Sequence, residues 1–281
     1  MKIKKGWYAL FTAPLMLVFI CVVVVPFFIG IGYSFFSWDG LAKHQAEFVG
    51  FKNFIDVFSD QRFISSALRT TVFTLIAVVT VNVLGIFFAL VVTTKLRVRN
   101  LARTMLFMPY LIGGLILGYI WKAVFQEYFL NIGWGNWTTD SIKGIAAMVI
   151  VTTWQMAGYV MIVYITGIMA IPNDVLEAAS VDGAGYFQTL FKVKFPLLMP
   201  SFTICLFLTL SNCFKIYDVN VSLTGAGPGN ALEMYSLNIY NEIFSLSNFG
   251  YGQAKAIIFF LIIAVVTLAQ VTITKKKEVA L

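Results

Sequence analysis

Long apolar stretches separated by short polar segments dominate this sequence. A helix that crosses the hydrocarbon core of a bilayer needs about 20 apolar residues, and six stretches meet that requirement. They cover residues 10–35, 71–94, 105–125, 144–171, 197–217 and 254–274. None shows the period-two alternation of a barrel strand, and irregular backbone facing lipid would leave peptide groups without hydrogen bonds. The pattern therefore predicts an all-α polytopic membrane protein with six transmembrane helices in one domain, residues 1–281.

Composition excludes the main alternatives to a membrane protein. Hydrophobic residues make up 59% of the 281 positions and charged residues only 12%, about half the charged share of an average soluble domain. So few charges cannot cover the surface of a soluble enzyme of this length, and the same figures exclude a disordered chain. The three cysteines lie inside apolar runs, which is typical of small buried side chains without a redox role.

The distribution of basic residues predicts the orientation of the chain. Twelve of the 20 Lys and Arg residues fall on one set of alternating segments and eight on the longer segments of the other set. The first set comprises Lys2, Lys4, Lys5, Lys95, Arg97, Arg99, Arg103, Lys192, Lys194, Lys275, Lys276 and Lys277. Cytoplasmic loops carry the excess of positive charge, so both termini are predicted to be cytoplasmic. The first apolar run is too long for a signal-peptide core, and we expect it to be a retained helix.

Ionisable groups are sparse inside the predicted spans. All 13 acidic residues fall in loops or at span ends, and no Lys or Arg lies near a predicted midplane. Ion-coupled carriers usually keep such groups there. The chain also has no G-x-x-x-x-G-K-[ST] phosphate loop, and its single histidine, His44, cannot build a metal site. We therefore expect the energy source to lie outside these helices.

The segment between the fourth and fifth spans, residues 172–196, has the pattern of a structured cytoplasmic element. Pro172 and Asn173 suit a helix start, and Gly183 and Gly185 supply a stop. The pattern predicts a short helix, a glycine break and a second short amphipathic helix. A structured loop of this kind needs a partner to contact.

The same segment carries a family resemblance. Its Glu177-Ala178-Ala179, Asp182-Gly183-Ala184 and Phe195-Pro196-Leu197-Leu198-x-Pro200 runs resemble the E-A-A signature of permease subunits of bacterial ATP-binding-cassette (ABC) importers. Further runs at 214–218, 223–230 and 250–254 are similar to the carbohydrate-importing branch, and to the maltose-permease first subunit more than to its partner. The resemblance covers essentially the whole chain, although the large inserted external domain of the maltose protein is missing.

The resemblance implies a type I ABC importer transmembrane domain in the bacterial plasma membrane, with a sugar or oligosaccharide as substrate. It implies four further protein chains: a second homologous permease subunit, two cytoplasmic ATPase subunits and an extracytoplasmic substrate-binding protein. ATP and Mg²⁺ would be bound by the ATPases, so this chain is expected to hold no cofactor, to bind no nucleic acid and not to be an enzyme.

The family also implies roles for residues of the E-A-A segment as a coupling helix seated in a cleft of the ATPase. Glu177 would offer a salt bridge or a cap, Ala178 and Ala179 would permit close approach, and Gly183 would allow the sharp turn after Asp182. An ordinary helical hairpin is the alternative.

Polar side chains at similar depth predict a cavity within the membrane. At about 1.5 Å per residue, Gln155 and Asn212 lie roughly 23 Å from the cytoplasmic ends of their spans, and Tyr159 and Asn82 about 18 Å. Buried amides cost free energy unless they are paired, so groups at neighbouring depths favour a polar cavity.

Alignment of the resembling segments adds sugar-contact positions to this cavity. The fourth span places Thr152, Gln155, Met156 and Tyr159 there, and we expect Ser211 and Asn212 to contribute from the fifth. The same residue types also join transmembrane helices by interhelical hydrogen bonds, and both interpretations stay open for each residue.

Three alternatives to a sugar importer remain. The same machine could carry a polyol phosphate, although few cationic groups at cavity depth argue against a phosphorylated ligand. A stand-alone secondary carrier is disfavoured by the missing midplane charges and the missing inverted repeat. An inactive membrane assembly factor is the third.

Outside the spans, Phe51, Phe54, Ile55 and Phe58 recur at helical spacing. They predict an amphipathic external helix that either lies on the membrane or packs as a lid.

Overall fold

A computed structural model gives the fold and describes residues 5–41, 43–94, 98–133 and 136–278. Four of the basic residues behind the predicted orientation, Lys2, Lys4, Lys95 and Arg97, lie outside the described residues. The described helices are α1 (Lys5–Phe19), α2 (Val25–Tyr33), α3 (Lys52–Ser59), α4 (Gln61–Thr93), α5 (Arg99–Phe107), α6 (Gly114–Asn131), α7 (Ser141–Met169), α8 (Asn173–Val181), α9 (Tyr186–Gln188), α10 (Phe195–Leu197), α11 (Met199–Phe214), α12 (Tyr235–Tyr240) and α13 (Phe249–Lys275). One antiparallel pair of two-residue strands, β1 (Phe36–Ser37) and β2 (Glu47–Phe48), joins Phe36 to Phe48.

Helices long and apolar enough to cross a membrane occur four times in the described residues, at Leu10–Tyr33, Gln61–Thr93, Ser141–Met169 and Phe249–Lys275. A five-residue π-helical turn at Ile20–Val24 joins α1 to α2 within the first of them. Two further pairs of helices pass the same test together but are sharply bent. If each pair is one span, the chain crosses the membrane six times.

The span predicted at 105–125 is not a single straight helix. Arg99–Leu111 and Gly114–Asn131 meet at an angle of 97°. Gly113 is extended at the break, with φ −60° and ψ 139°, and Pro109 cannot donate a backbone hydrogen bond to the turn before it. Apolarity alone does not reveal this bend, because both arms are apolar.

The span predicted at 197–217 differs in the same way. Tyr186–Leu197 and Met199–Phe214 meet at 67°, and a proline stands on each side of the junction, at Pro196 and Pro200. Since proline removes a donor and restricts the residue before it, a continuous helix is unfavourable here.

The chain divides into two compact units: unit 1 contains residues up to 64 together with 238–260, and unit 2 contains residues 65–237 together with those from 261 onward. In unit 2, α4, α7 and α11 enclose an apolar core that includes Phe73, Met148, Tyr164 and Cys205. Gly158 lets α5 approach α7 closely, because a Cβ there would clash with the Leu106 carbonyl. Small residues at such contacts are typical of helix packing in membranes.

Unit 1 contains a buried ionic cluster around Lys255 (the Lys255 cluster). Lys255 is completely buried, and its Nζ lies 2.7 Å from Asp60 Oδ2 and 2.7 Å from Glu242 Oε2. It also donates to Asn238 Oδ1 at 3.3 Å, and Tyr251 donates to Asp60 Oδ2 at 3.2 Å. In the sequence, Lys255 stands at the outer edge of the sixth apolar run, residues 254–274. Helix α13 already begins at Phe249, so Lys255 lies within the helix, and tertiary contacts supply its partners.

Asp60 also caps the start of α4. Its Oδ1 accepts hydrogen bonds from the backbone N–H groups of Arg62 and Phe63 at the start of α4, as helix-capping residues do. Burial opposes ionisation of Asp60, but the Lys255 ammonium and the two backbone donors outweigh it and lower the pKa of this carboxyl below its ordinary value of 3.8.

Candidate functional site

A cavity of about 290 Å³ opens in unit 2 where the break before α6 faces α7 and the end of α11. Its lining is contributed by Tyr110, Gly114, Thr152, Gln155, Met156, Asn212, Lys215, Ile216, Tyr217, Asp218 and Val219. Four of the seven residues that we proposed for the substrate path are among them: Thr152, Gln155, Met156 and Asn212. Helix α7 therefore turns three of its predicted polar and thioether positions toward one space.

Gln155 stabilises the broken backbone at the cavity wall. Its Nε2 donates to the Ile112 carbonyl at 2.9 Å, which lies within the bend before α6. Broken helices occur at membrane depth only where other groups satisfy the freed peptide groups or where they line a cavity. Gly114 continues the wall, since a Cβ there would lie 2.9 Å from the Asp218 Cβ.

Thr152 lines this cavity and carries a buried hydroxyl without a protein partner among the described residues. Its side chain is 5% exposed, and among the described residues its Oγ1 has no hydrogen-bond partner. Buried hydroxyls are normally paired, and the residue that carries this one lines the cavity. A ligand hydroxyl or a water would satisfy it.

The other three proposed residues do not line the cavity. Tyr159 lies behind its wall and stacks on Tyr110, with ring centroids 4.5 Å apart. Ser211 is half-buried on α11. Asn82 is 5% exposed and is held between α4, α7 and α11.

Asn82 makes the interhelical contacts that the alternative interpretation described. Its Nδ2 donates to the Val78 carbonyl at 2.8 Å and to Thr209 Oγ1 at 3.0 Å, and its Oδ1 accepts from the Tyr164 hydroxyl at 2.8 Å. These contacts hold three helices together. A role in contact with substrate remains a prediction for Asn82.

Two charged cavity residues were missed by the sequence reasoning. Lys215 and Asp218 follow the end of α11 at Phe214, and both line the cavity. Neither residue is among those proposed above for the substrate path. The feature that points to them is the early end of α11 at Phe214. Residues that follow a helix end inside the membrane need a polar environment. Lys215 therefore weakens the argument against a phosphorylated ligand, which rested on the scarcity of cationic groups at cavity depth.

The E-A-A segment forms a short helix that ends in a sharp turn. The Ala184 N–H donates to the Ala179 carbonyl at 3.0 Å and the Gly183 N–H to the Ser180 carbonyl at 3.1 Å, the two bonds of a Schellman motif. Gly183 has φ +74°, a conformation that costs other residues about 1–2 kcal/mol. Glycine therefore fixes the direction in which the chain leaves α8.

The side chains of this segment are mostly exposed. Glu177, Ala178 and Asp182 face solvent, whereas Ala179 is buried within the protein. Ala179 therefore packs inward, and close approach to a partner would fall to Ala178. Large apolar side chains are also exposed on both sides of the turn: Val181, Tyr186, Phe187 and Phe191, with exposures of 63–86%. An apolar patch of this kind marks an interaction surface.

Among the described residues there is no group of three His, Cys, Asp or Glu side chains that could hold a metal ion. Apolar spans, a broken helix, a polar cavity and an exposed apolar loop together define a polytopic membrane transport protein.

The family follows from comparison. Residues 81–279 match the family described as the binding-protein-dependent transport system inner membrane component. The chain belongs to this family. It is therefore a multi-pass protein of the plasma membrane and a transport subunit.

Relatives match along the full chain. The chain is 48% identical over 284 aligned positions to the probable starch degradation products transport system permease protein AmyD of Thermoanaerobacterium thermosulfurigenes, covering 98% of this chain and 97% of AmyD. It is 31% identical to the multiple sugar-binding transport system permease protein MsmF of Streptococcus mutans, covering 99% and 98% of the two chains.

A solved structure shows the same fold. A chain of a bacterial ABC transporter involved in the import of the acidic polysaccharide alginate matches with a TM-score of 0.80 at 19% identity, covering 97% of this chain and 96% of that one. The chain therefore shares its fold with that transporter chain.

Proposed function

We propose that this chain is the permease subunit of an ATP-driven, binding-protein-dependent importer of sugars or oligosaccharides. Family membership supports the transport role, and the relatives AmyD and MsmF are named for starch degradation products and multiple sugars. The observation that carries the sugar assignment is the cavity, whose lining includes Thr152 with its unpaired hydroxyl, the amide residue Asn212 and the aromatic Tyr110. Hydroxyl-rich ligands suit such hydrogen-bonding groups, and aromatic rings suit their apolar faces.

The cavity is half of the path in this proposal. A second homologous permease subunit would supply the other half, an extracytoplasmic binding protein would deliver the sugar, and both termini of this chain would be cytoplasmic. Two ATPase subunits would bind ATP and Mg²⁺. ATP binding would draw the E-A-A helices together and open the cavity outward, and hydrolysis would reset it.

In this scheme α8 and the turn at Gly183 transmit the movement. The exposed Glu177 and the apolar side chains around the turn would seat in the ATPase cleft, where burial of apolar surface gives affinity and the charge gives register. The Schellman geometry at Gly183 keeps the two sides of the turn in a fixed orientation, so a displacement of α8 would reach the bent helix that leads into α11.

The coupling role can be tested with Glu177→Lys and Gly183→Pro in the reconstituted complex. Both should leave membrane insertion intact and abolish the stimulation of ATPase activity by liganded binding protein. Glu177→Lys reverses the charge of the side chain that would contact the ATPase, and Gly183→Pro disrupts the turn after α8. Lys192→Met, on the exposed second helix of the loop, is the matched control and should keep stimulation. Normal stimulation in the two variants would contradict the proposal.

A polyol phosphate is the second candidate cargo, and Lys215 is the observation that favours it. A cation on the cavity wall could pair with a phosphate, although Asp218 on the same wall opposes an anion. Competition of unlabelled maltooligosaccharide and of glycerol phosphate for vanadate-sensitive uptake separates the two. The same measurement excludes a stand-alone carrier if uptake requires the co-expressed ATPase.

A further inference from the structure

Helix α3 of unit 1, Lys52–Ser59, has three distinct faces. Phe51 just before it, Ile55 and Phe58 are 69%, 66% and 69% exposed. They stand at positions i, i+4 and i+7 and therefore share one side of the helix. Three large apolar side chains together on an otherwise folded unit require a covering.

The second face fixes the helix to the end of the first span. Asn53 is 7% exposed and its Nδ2 donates to the Ser34 carbonyl at 2.8 Å and to the Phe36 carbonyl at 2.9 Å. Phe54 packs on Phe35, with ring centroids 5.3 Å apart. These partners follow directly after Tyr33, the last residue of the first membrane span.

The third face borders a polar groove. Lys52 and Asp56 line a polar groove of about 420 Å³ together with Glu47, Asn248 and Tyr251. The exposed apolar residues do not line this groove. The helix thus has a polar side that lines the groove and an apolar side that faces away from it.

Chain connectivity sets the depth of α3. The contacts of Asn53 bind it to the end of the first span, and only Asp60 separates it from α4, the next membrane helix, which begins at Gln61. Exposed apolar residues of both spans continue in the same unit, at Phe28 and Ile64. A helix held at the ends of two spans, with a polar and an apolar side, has the signature of an interfacial helix.

We propose that α3 lies in the headgroup region of the bilayer, with Phe51, Ile55 and Phe58 inserted among the lipid acyl chains. The occupant of the apolar face is the lipid bilayer. Helix α3 then forms the wall between the membrane and the polar groove, and Lys52 reaches the headgroup level on the water side. The inference concerns lipid alone and holds whatever cargo the protein carries.

The test uses nitroxide labels on the assembled complex in nanodiscs. Single cysteines replace Phe51, Ile55 or Phe58 on the apolar face, and Lys52 or Asp56 on the polar face, in a Cys21→Ala background because Cys21 is the exposed native cysteine. Collision with oxygen, which concentrates in lipid, and with a water-soluble nickel chelate is then measured for each label.

We expect the labels at 51, 55 and 58 to favour oxygen and those at 52 and 56 to favour the nickel chelate. All substituted side chains are exposed, so folding is not at risk. Higher nickel accessibility at the apolar positions would place that face in water, and low accessibility to both reagents would mean that protein covers it. Either result overturns the proposal.

Discussion

At the scale of single residues, side chains of one chemical type divide between cavity and packing according to their partners. Gln155 and Asn82 are both amides inside the membrane-spanning part of unit 2. Gln155 donates to a carbonyl at a helix break and lines the cavity, whereas Asn82 is held by three helices away from it. The hydrogen-bond partners distinguish a wall residue from an interhelical contact.

Thr152→Val should separate binding from stability. The Thr152 hydroxyl has no partner among the described residues, so its loss should leave the melting temperature of the purified complex unchanged or slightly raised. Sugar uptake in proteoliposomes should show an increased half-saturation concentration, since the ligand loses a hydrogen bond of about 1 kcal/mol.

Thr209→Val is the matched control. Thr209 donates to the Cys205 carbonyl and accepts from Asn82, and it does not line the cavity. This variant should lower the melting temperature by leaving Asn82 with fewer partners, while the half-saturation concentration stays the same. If wild type and Thr152→Val gave the same uptake curve, the proposal that the Thr152 hydroxyl contacts the sugar would be wrong.

At the scale of elements, bends and buried charges do most to distinguish this protein from a bundle of straight apolar helices. The bend before α6 and the end of α11 at Phe214 bring polar backbone and the charged residues after Phe214 to one cavity. In unit 1, the Lys255 cluster joins the start of α4, the π-helical turn Asn241–Ser245 and α13. Each feature ties several elements together through a few polar atoms.

Lys255→Met should strongly destabilise unit 1. The methionine fills a similar volume but leaves the Asp60 and Glu242 carboxylates without their ammonium, and removal of one partner from a buried pair typically costs about 3–5 kcal/mol. Thermal unfolding of the purified complex would show a much lower first transition. Lys52→Met, at an exposed lysine of the same unit, should change stability by about 0.5 kcal/mol at most.

The contribution of the Asp60 pair depends on pH with a defined sign. Because the pKa of Asp60 is lowered in the folded protein, its ionised form stabilises folding above pH 3.8 and this contribution is lost as pH falls through the folded-state pKa. The difference in melting temperature between wild type and Asp60→Asn should therefore be full at pH 6 and shrink at acid pH. A constant difference across that range would mean that Asp60 acts without its charge.

At the scale of the whole molecule, the distribution of basic residues predicts which ends of the spans face the cytoplasm. A cysteine at Lys276, after the last span, should react with a membrane-impermeant maleimide only in inside-out vesicles, and one at Asp56 only in right-side-out vesicles, both in the Cys21→Ala background. The reason is the excess of Lys and Arg on the segments that share a side with Lys276. Reaction of both cysteines from the same side would contradict the six-span topology.

The sequence alone determined the class of the protein, the helical fold and the family. Apolar runs of membrane length exclude other classes because lipid leaves the backbone no alternative to internal hydrogen bonds. The ordered E-A-A segment carries a local signal that needs no tertiary contacts, and the local turn chemistry of Gly183 follows from its freedom at positive φ.

Only the tertiary structure decided which polar residues meet. Apolarity does not encode where a helix bends or ends, so the sequence did not predict that Lys215 and Asp218 line the cavity. Asn82 was predicted to line it but instead makes hydrogen bonds to α7 and α11. Lys255 is a charged residue at the edge of an apolar run, and its acidic partners Glu242 and Asp60 lie 13 and 195 positions away along the chain. Hydrogen bonds and ion pairs between distant segments form only when packing brings the segments together, which is why a pattern along the chain could not reveal them.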